Sequence, residues 1–165
     1  MCSSDLKLMV WGNQVVTGMI GERSSDFRTI QSNTIKPGDT FQADELTVTA
    51  LKADHMRDEE ALLFIICDEE KGIFYAHDSG WYPEETWLRL VGKELDLVNF
   101  DCTFGPISNR HGHMGIPEIL EAREKLWDIG AIKREAKCVI THFSHNSGLL
   151  YQELVEHVAD RKSVV

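Results

Sequence analysis

The sequence predicts an α/β sandwich built on a mixed sheet, and three observations carry that expectation. Apolar strand-like blocks are followed by segments of helical periodicity along most of the chain. Two apolar runs, Ala61–Cys67 and Ile73–Ala76, surround Asp68-Glu69-Glu70-Lys71-Gly72 and read as a hairpin, which supplies an antiparallel pair. Strands joined through helices supply parallel pairs, so the sheet is expected to be mixed.

In chain order, Leu8-Met9-Val10-Trp11 reads as a short strand closed by Gly12, followed by a helix from Asn13 to about Ile20. Glu22 to Asn33 is a polar stretch, and Pro37-Gly38-Asp39 is turn chemistry. Leu46-Thr47-Val48-Thr49-Ala50-Leu51 alternates with β-branched residues and predicts a strand ahead of the hairpin. Pro83 suits a first helical turn, and Trp87, Leu88 and Val91 give a short apolar face ending at Gly92. Leu95–Phe100 is a further strand. After a loop rich in Gly, Pro and Asn, Ile119, Ala122, Leu126 and Ile129 recur at helical spacing, with Pro117 near the start and Gly130 at the stop. Cys138–Thr141 reads as a buried strand, and Leu150, Leu154 and Val158 carry a last helix.

Composition narrows the function classes. At 165 residues with 42% hydrophobic content, the chain suits one packed domain or part of a larger one. Its net charge of −10 disfavours a broad nucleic-acid footprint, which needs a basic patch, but allows a small phosphate substrate held through a metal. The longest apolar run, Ala61–Cys67, falls far short of the roughly 18 residues that cross a bilayer. No basic region followed by an apolar one opens the chain, so no signal peptide is expected and the cytoplasm is the expected compartment. Cys2, Cys67, Cys102 and Cys138 form no close pair of the zinc-ribbon or redox kind and are expected as isolated thiols, mostly buried.

Three side chains with metal-binding chemistry stand just past strand ends: His55 after Leu46–Leu51, Asp78 after Ile73–Ala76, and His142 after Cys138–Thr141. The carboxyl edge of an open α/β sheet is where ligands bind, and His with Asp suits zinc, manganese or iron. Taken singly, each has an ordinary explanation as a solvated loop residue or turn former.

The segments Ala53-Asp54-His55, Tyr75-Ala76-His77-Asp78-Ser79-Gly80 and Ile140-Thr141-His142-Phe143-Ser144-His145-Asn146 resemble, in order and spacing, the third, fourth and fifth motifs of the metallo-β-lactamase-fold hydrolases. The resemblance covers roughly residues 7 to 159 and implies an αββα sandwich, of which this chain holds the C-terminal two thirds. It implies that His55 ligates a first metal, that Asp78 bridges two metals and that His142 ligates the second. The implied cofactors are two divalent ions, zinc first, with manganese and iron as alternatives, sharing a hydroxide nucleophile. Within the superfamily, the chain resembles the branch of phosphoribosyl cyclic-phosphate phosphodiesterase and the tRNA 3′-processing endonuclease. There Arg110-His111-Gly112-His113-Met114-Gly115 occupies the place of a loop histidine, so His113 resembles the residue that contacts phosphate or protonates the leaving oxygen. His111 and His145 are weaker candidates for substrate contact; Asp101 reads as an orienting carboxylate, and His77, alternating away from Asp78, is expected to face elsewhere.

The family's His-x-His-x-Asp-His run, which supplies four further ligands, is absent from the 165 positions, so about half a dinuclear site is expected and any metal is expected to be weakly held. The ends, Met1–Leu6 and Arg161–Val165, resemble translated sequencing-adapter DNA, so the partial domain is expected at residues 7–160, with 1–6 and 161–165 expected to be non-native. The expected function is a metal-dependent phosphodiesterase acting on a small phosphodiester, with nucleic acid less favoured and no membrane partner. A non-catalytic binding module and a thioester or lactone hydrolase of the same fold remain open. Uncovered apolar surface favours association, a homodimer included.

Overall fold

A computed structural model describes residues 7–23, 29–56, 60–144 and 148–159. The ends Met1–Leu6 and Arg161–Val165, Cys2 and His145 lie outside the described residues. The elements are β1 (Leu8–Gly12), α1 (Gln14–Glu22), β2 (Ile30–Thr34), β3 (Thr40–Ala43), β4 (Leu46–Lys52), β5 (Leu62–Cys67), β6 (Gly72–Ala76), α2 (Glu84–Leu90), β7 (Leu95–Asp101), α3 (Ile116–Asp128), β8 (Ile132–Thr141) and α4 (Tyr151–Ala159).

Six strands form one mixed sheet in the order β3-β4-β5-β6-β7-β8, antiparallel from β3 to β6 and parallel from β6 to β8. The change of direction follows from the connections. A tight turn joins β5 to β6, and α2 and α3 carry the chain across to β7 and β8. β1 and β2 pair in parallel as a separate two-stranded sheet around α1, whose Asn13 side chain accepts from the Val16 N–H at 3.0 Å and so starts the helix.

Burial separates the two faces of the large sheet. The register row Ile65, Phe74, Val98 and Cys138 is buried beneath α2 and α3. On α3, Ile119, Ala122 and Leu126 are fully covered, each larger side chain contributing about 1.5–3 kcal/mol by leaving water. The row Phe64, Tyr75, Asn99 and Val139 lies on the other face and stays partly exposed.

The expected mixed α/β architecture is what the chain adopts, with differences in particular elements. The polar stretch after α1 contains β2, hidden because Ile30–Thr34 reads Ile-Gln-Ser-Asn-Thr with no apolar alternation. β3 is a four-residue edge strand following the Pro37-Gly38 turn. β8 begins at Ile132 rather than Cys138, because a sheet-edge strand tolerates the exposed charges of Arg134, Glu135 and Lys137.

Candidate metal centre

The parallel half of the sheet delivers its strand ends to one edge. β6 ends at Ala76 and β8 at Thr141, and the next turn of chain holds Asp78 at φ 53° and His142 at φ 60°. Left-handed backbone at a residue other than glycine costs about 1–2 kcal/mol, so surrounding contacts must hold both. At Asp78 the contacts belong to Ser79 and Gly80. The Ser79 hydroxyl accepts from the Asp54 N–H at 3.0 Å, and the Gly80 N–H donates to the Asp54 carbonyl at 2.7 Å. The segment bearing His55 is thereby bound to the segment bearing Asp78. A Cβ on Gly80 would lie 2.3 Å from the Arg110 carbonyl, so the histidine-bearing loop closes down on this turn only over glycine.

That loop, residues 102–115, is fixed by Glu118 of α3. Its nearly buried carboxylate accepts from Ser108 Oγ at 2.5 Å and the Asn109 N–H at 3.0 Å. The Asn109 amide then donates to the carbonyls of His111 and His113 at 2.7 and 2.6 Å. At the loop's end Gly115 packs so closely that a Cβ would sit 1.9 Å from the Ile107 carbonyl oxygen.

These constraints bring the side chains together. Asp78, Asp101, His113 and His142 each offer a ligand atom, and the four atoms lie within 4.8 Å of one another. His142 Nε2 is 3.2 Å from Asp78 Oδ1; His113 Nδ1 and His55 Nε2 are each 3.9 Å from the same oxygen. The His55 and His113 rings meet edge-on at 4.9 Å, and the His113 and His142 rings stack at 5.6 Å. His111 instead reaches outward, its Nδ1 3.4 Å from Asp54 Oδ2 and its side chain almost wholly exposed.

Asp101 is fully buried at the end of β7. One oxygen accepts from the Thr103 N–H at 2.9 Å, and the other lies 2.7 Å from His113 Nδ1 and 3.4 Å from His142 Nδ1. The Thr103 hydroxyl is 2.8 Å from His142 Nδ1. Both imidazoles therefore have Nδ1 engaged by protein, leaving Nε2 as the atom available to a ligand or substrate.

The donor set fits a divalent cation. Asp78 and Asp101 place two carboxylates in one group with two imidazoles, and like charges so close favour a cation among them. Imidazole with carboxylate is also a donor combination that zinc, manganese and iron accept.

The structure therefore gathers His55, Asp78, His113 and His142, the residues singled out in the sequence, at one sheet edge. Thr103 was missed, although an Asp-x-Thr run at a strand end is recognisable Asx-turn chemistry. His77 corrects an expectation. Strand alternation sends it to the open face, yet its ring lies 5.7 Å from that of His142 and its Nε2 hydrogen-bonds Thr141 Oγ1, so it borders the site.

The family described as "Beta-lactamase superfamily domain" matches residues 8–143. No curated protein matches the chain in sequence. Among solved structures, the metallo-beta-lactamase fold protein YhfI from Bacillus subtilis superposes with a TM-score of 0.70 at 15% identity, over 98% of this chain and 62% of that one. Zn(2+)-bound PqqB from Methylobacterium extorquens gives 0.70 at 16% identity, over 98% and 63%. A diphosphatase from the PhnP family gives 0.63 at 14% identity, over 96% and 55%. The chain thus spans somewhat under two thirds of the length of these structures, and the likeness is one of fold.

Proposed function

Since the chain belongs to the beta-lactamase superfamily domain family and has its metallo-β-lactamase fold, we propose that it carries the C-terminal part of a metal-dependent hydrolase acting on a phosphodiester. One observation carries the reading: at the carboxyl edge of the sheet His142 Nε2 and His55 Nε2 lie 3.2 and 3.9 Å from the same Asp78 oxygen, with Asp101 and His113 in the group beside them. A diphosphatase among the structures of the same fold is in keeping with phosphorus as the centre attacked.

In this reading Asp78 and His142 hold metal, with His55 approaching the same Asp78 oxygen. Divalent ions bound there supply Lewis acidity and a nucleophile at neutral pH. The remaining steps fall to the protein. Asp101 holds His113 through Nδ1, so the proton or contact offered to a phosphoryl or leaving oxygen falls to His113 Nε2. Thr103 fixes the His142 ring, which keeps Nε2 toward Asp78. The small phosphodiester is favoured over a polynucleotide by the net charge of −10.

The test is hydrolysis of bis(p-nitrophenyl) phosphate, with Zn2+ or Mn2+ supplied, by the hydrolase of which this chain is proposed to form part. The expected result is metal-dependent turnover that falls about 100-fold or more in His113→Ala, the usual scale for losing a general acid. Turnover of thioesters or lactones alone would transfer the reading to carbonyl substrates. Metal binding without turnover of either would favour a binding module.

A further inference from the structure

The candidate ligands Asp78 and His142 follow β6 and β8, which are not neighbours; β7 lies between them. Backbone hydrogen bonding therefore sets their separation only indirectly, through two successive strand pairings. A side-chain chain on the open face of the sheet spans the gap directly. Asn99, in β7, accepts through Oδ1 from the Thr141 hydroxyl at 2.8 Å. His77 Nε2 hydrogen-bonds the same hydroxyl, and His77 Nδ1 lies 3.1 Å from the Tyr75 hydroxyl.

The donors and acceptors of this chain determine one another. Thr141 uses its single proton toward Asn99, so its oxygen accepts from His77 Nε2–H. His77 Nδ1 then carries the lone pair and accepts from Tyr75 O–H, while the Tyr75 and His77 rings lie against each other at 4.6 Å. His77 immediately precedes Asp78 and Thr141 immediately precedes His142, and both following residues sit in left-handed backbone.

We propose that the His77–Thr141 hydrogen bond, braced by Asn99 and Tyr75, is a clamp across β7 that sets the spacing of Asp78 and His142, making His77 a positioning residue for the metal pair. The proposal rests on the metal reading of Asp78 and His142, and it adds a role for a histidine outside that group of candidate ligands. Without the clamp the two strand ends keep their sheet pairing, but the turns after them lose a tie that acts alongside the 3.2 Å approach of His142 to Asp78. Outer partners of this kind typically change metal affinity about 10–100-fold.

The test compares the full chain with His77→Ala, Thr141→Val and His77→Gln, the last keeping a donor near the Nε2 position. The first readout is amide hydrogen exchange in metal-free protein. The clamp predicts exchange up to about tenfold faster at residues 77–79 and 141–143 in His77→Ala and Thr141→Val, with His77→Gln restored toward the parent and β4–β5 unaffected. The second is Co2+ titration followed by its visible spectrum, where both clamp-breaking variants bind about tenfold or more weakly with an altered spectrum. A variant carrying both His77→Ala and Thr141→Val changes either readout by less than the sum of the single effects, because the two substitutions share the His77–Thr141 bond. Unchanged exchange at both segments in His77→Ala overturns the clamp whatever the metal does. Co2+ binding that is equal in parent and His77→Ala overturns its role in ligand positioning, whereas a parent that binds no Co2+ refutes the metal reading, with exchange alone deciding the clamp.

Discussion

Asp101 shows how one residue can be burdened and useful at once. A fully buried carboxylate is costly unless its oxygens are satisfied, and here the Thr103 N–H and His113 Nδ1 satisfy them. Replacing it in Asp101→Asn keeps the shape but puts a donor amide where His113 needs an acceptor. Under the proposed function a rate of hydrolysis about 10–100-fold lower, with Zn2+ affinity reduced, is expected, and steady-state kinetics beside calorimetric titration read both. The thiols offer a second check at this scale. Burial pushes the Cys102 thiol up to about 12, so at pH 8 it is almost entirely protonated and covered. Iodoacetamide should leave Cys102 unmodified in the native chain and label it in urea, as peptide mass spectrometry would report. Single residues were also where the sequence was most and least readable. His55, Asp78 and His142 stand just after strands, which marks them locally, but their grouping and the choice of His113 came from the resemblance of the motifs that carry them. Thr103, Asn99 and Thr141 were not, since a hydroxyl or amide acquires its role only from partners brought in by β7 and β8.

At the scale of elements, strong apolar periodicity made β4, β5, β6, β7 and α3 readable, whereas β2, β3 and the first half of β8 escaped. The missed strands lie at sheet edges or in the two-stranded sheet, where one side meets water and polar residues replace the alternation that marks a strand. The start of β8 is held instead by charge. Asp96 accepts from the Gly72 N–H at 2.9 Å and pairs with Lys133 Nζ at 2.6 Å. The Lys133 ammonium, and then the Gly72 N–H, hold the Asp96 carboxyl below its ordinary value, while Asp96 raises Lys133. A lowered carboxyl stabilises the fold above its unfolded value of 3.8 and loses that contribution as pH falls through the lower folded value. Urea midpoints measured from pH 7 down to pH 2 should therefore fall below about pH 4, and Asp96→Asn should flatten that part of the curve. The loop before α3 gives a sharper test. In Gly115→Ala the new methyl meets a backbone carbonyl that cannot swing aside, and a loss of about 2 kcal/mol or more in urea unfolding is expected.

For the molecule as a whole, the large sheet is covered by helices on one face, and on the other Phe64, Ile66, Ile73, Leu97 and Val139 keep partial exposure. Leu8, Met9, Val15, Val16 and Met19 add exposed apolar area around β1 and α1. Surfaces of this kind seek cover, so sedimentation at increasing concentration should show the chain self-associating, whereas a monomer across that range would mean the apolar area is too divided to drive contact. No helix among the described residues is long and apolar enough to cross a membrane. The fold class was legible because it depends on the order of strands and helices, which local pattern reports. The convergence of ligands depends on which strands become neighbours, and that came into view only through the motif spacing of 23 and 64 residues between His55, Asp78 and His142. The central claim is that this convergence binds a cation. Calorimetric titration of the chain with Zn2+, beside Asp78→Asn, tests it most directly. Saturable binding of roughly micromolar strength or weaker, lowered at least about tenfold in Asp78→Asn, is the predicted result. Equal binding in the two proteins, or none in the parent at millimolar Zn2+, would contradict it.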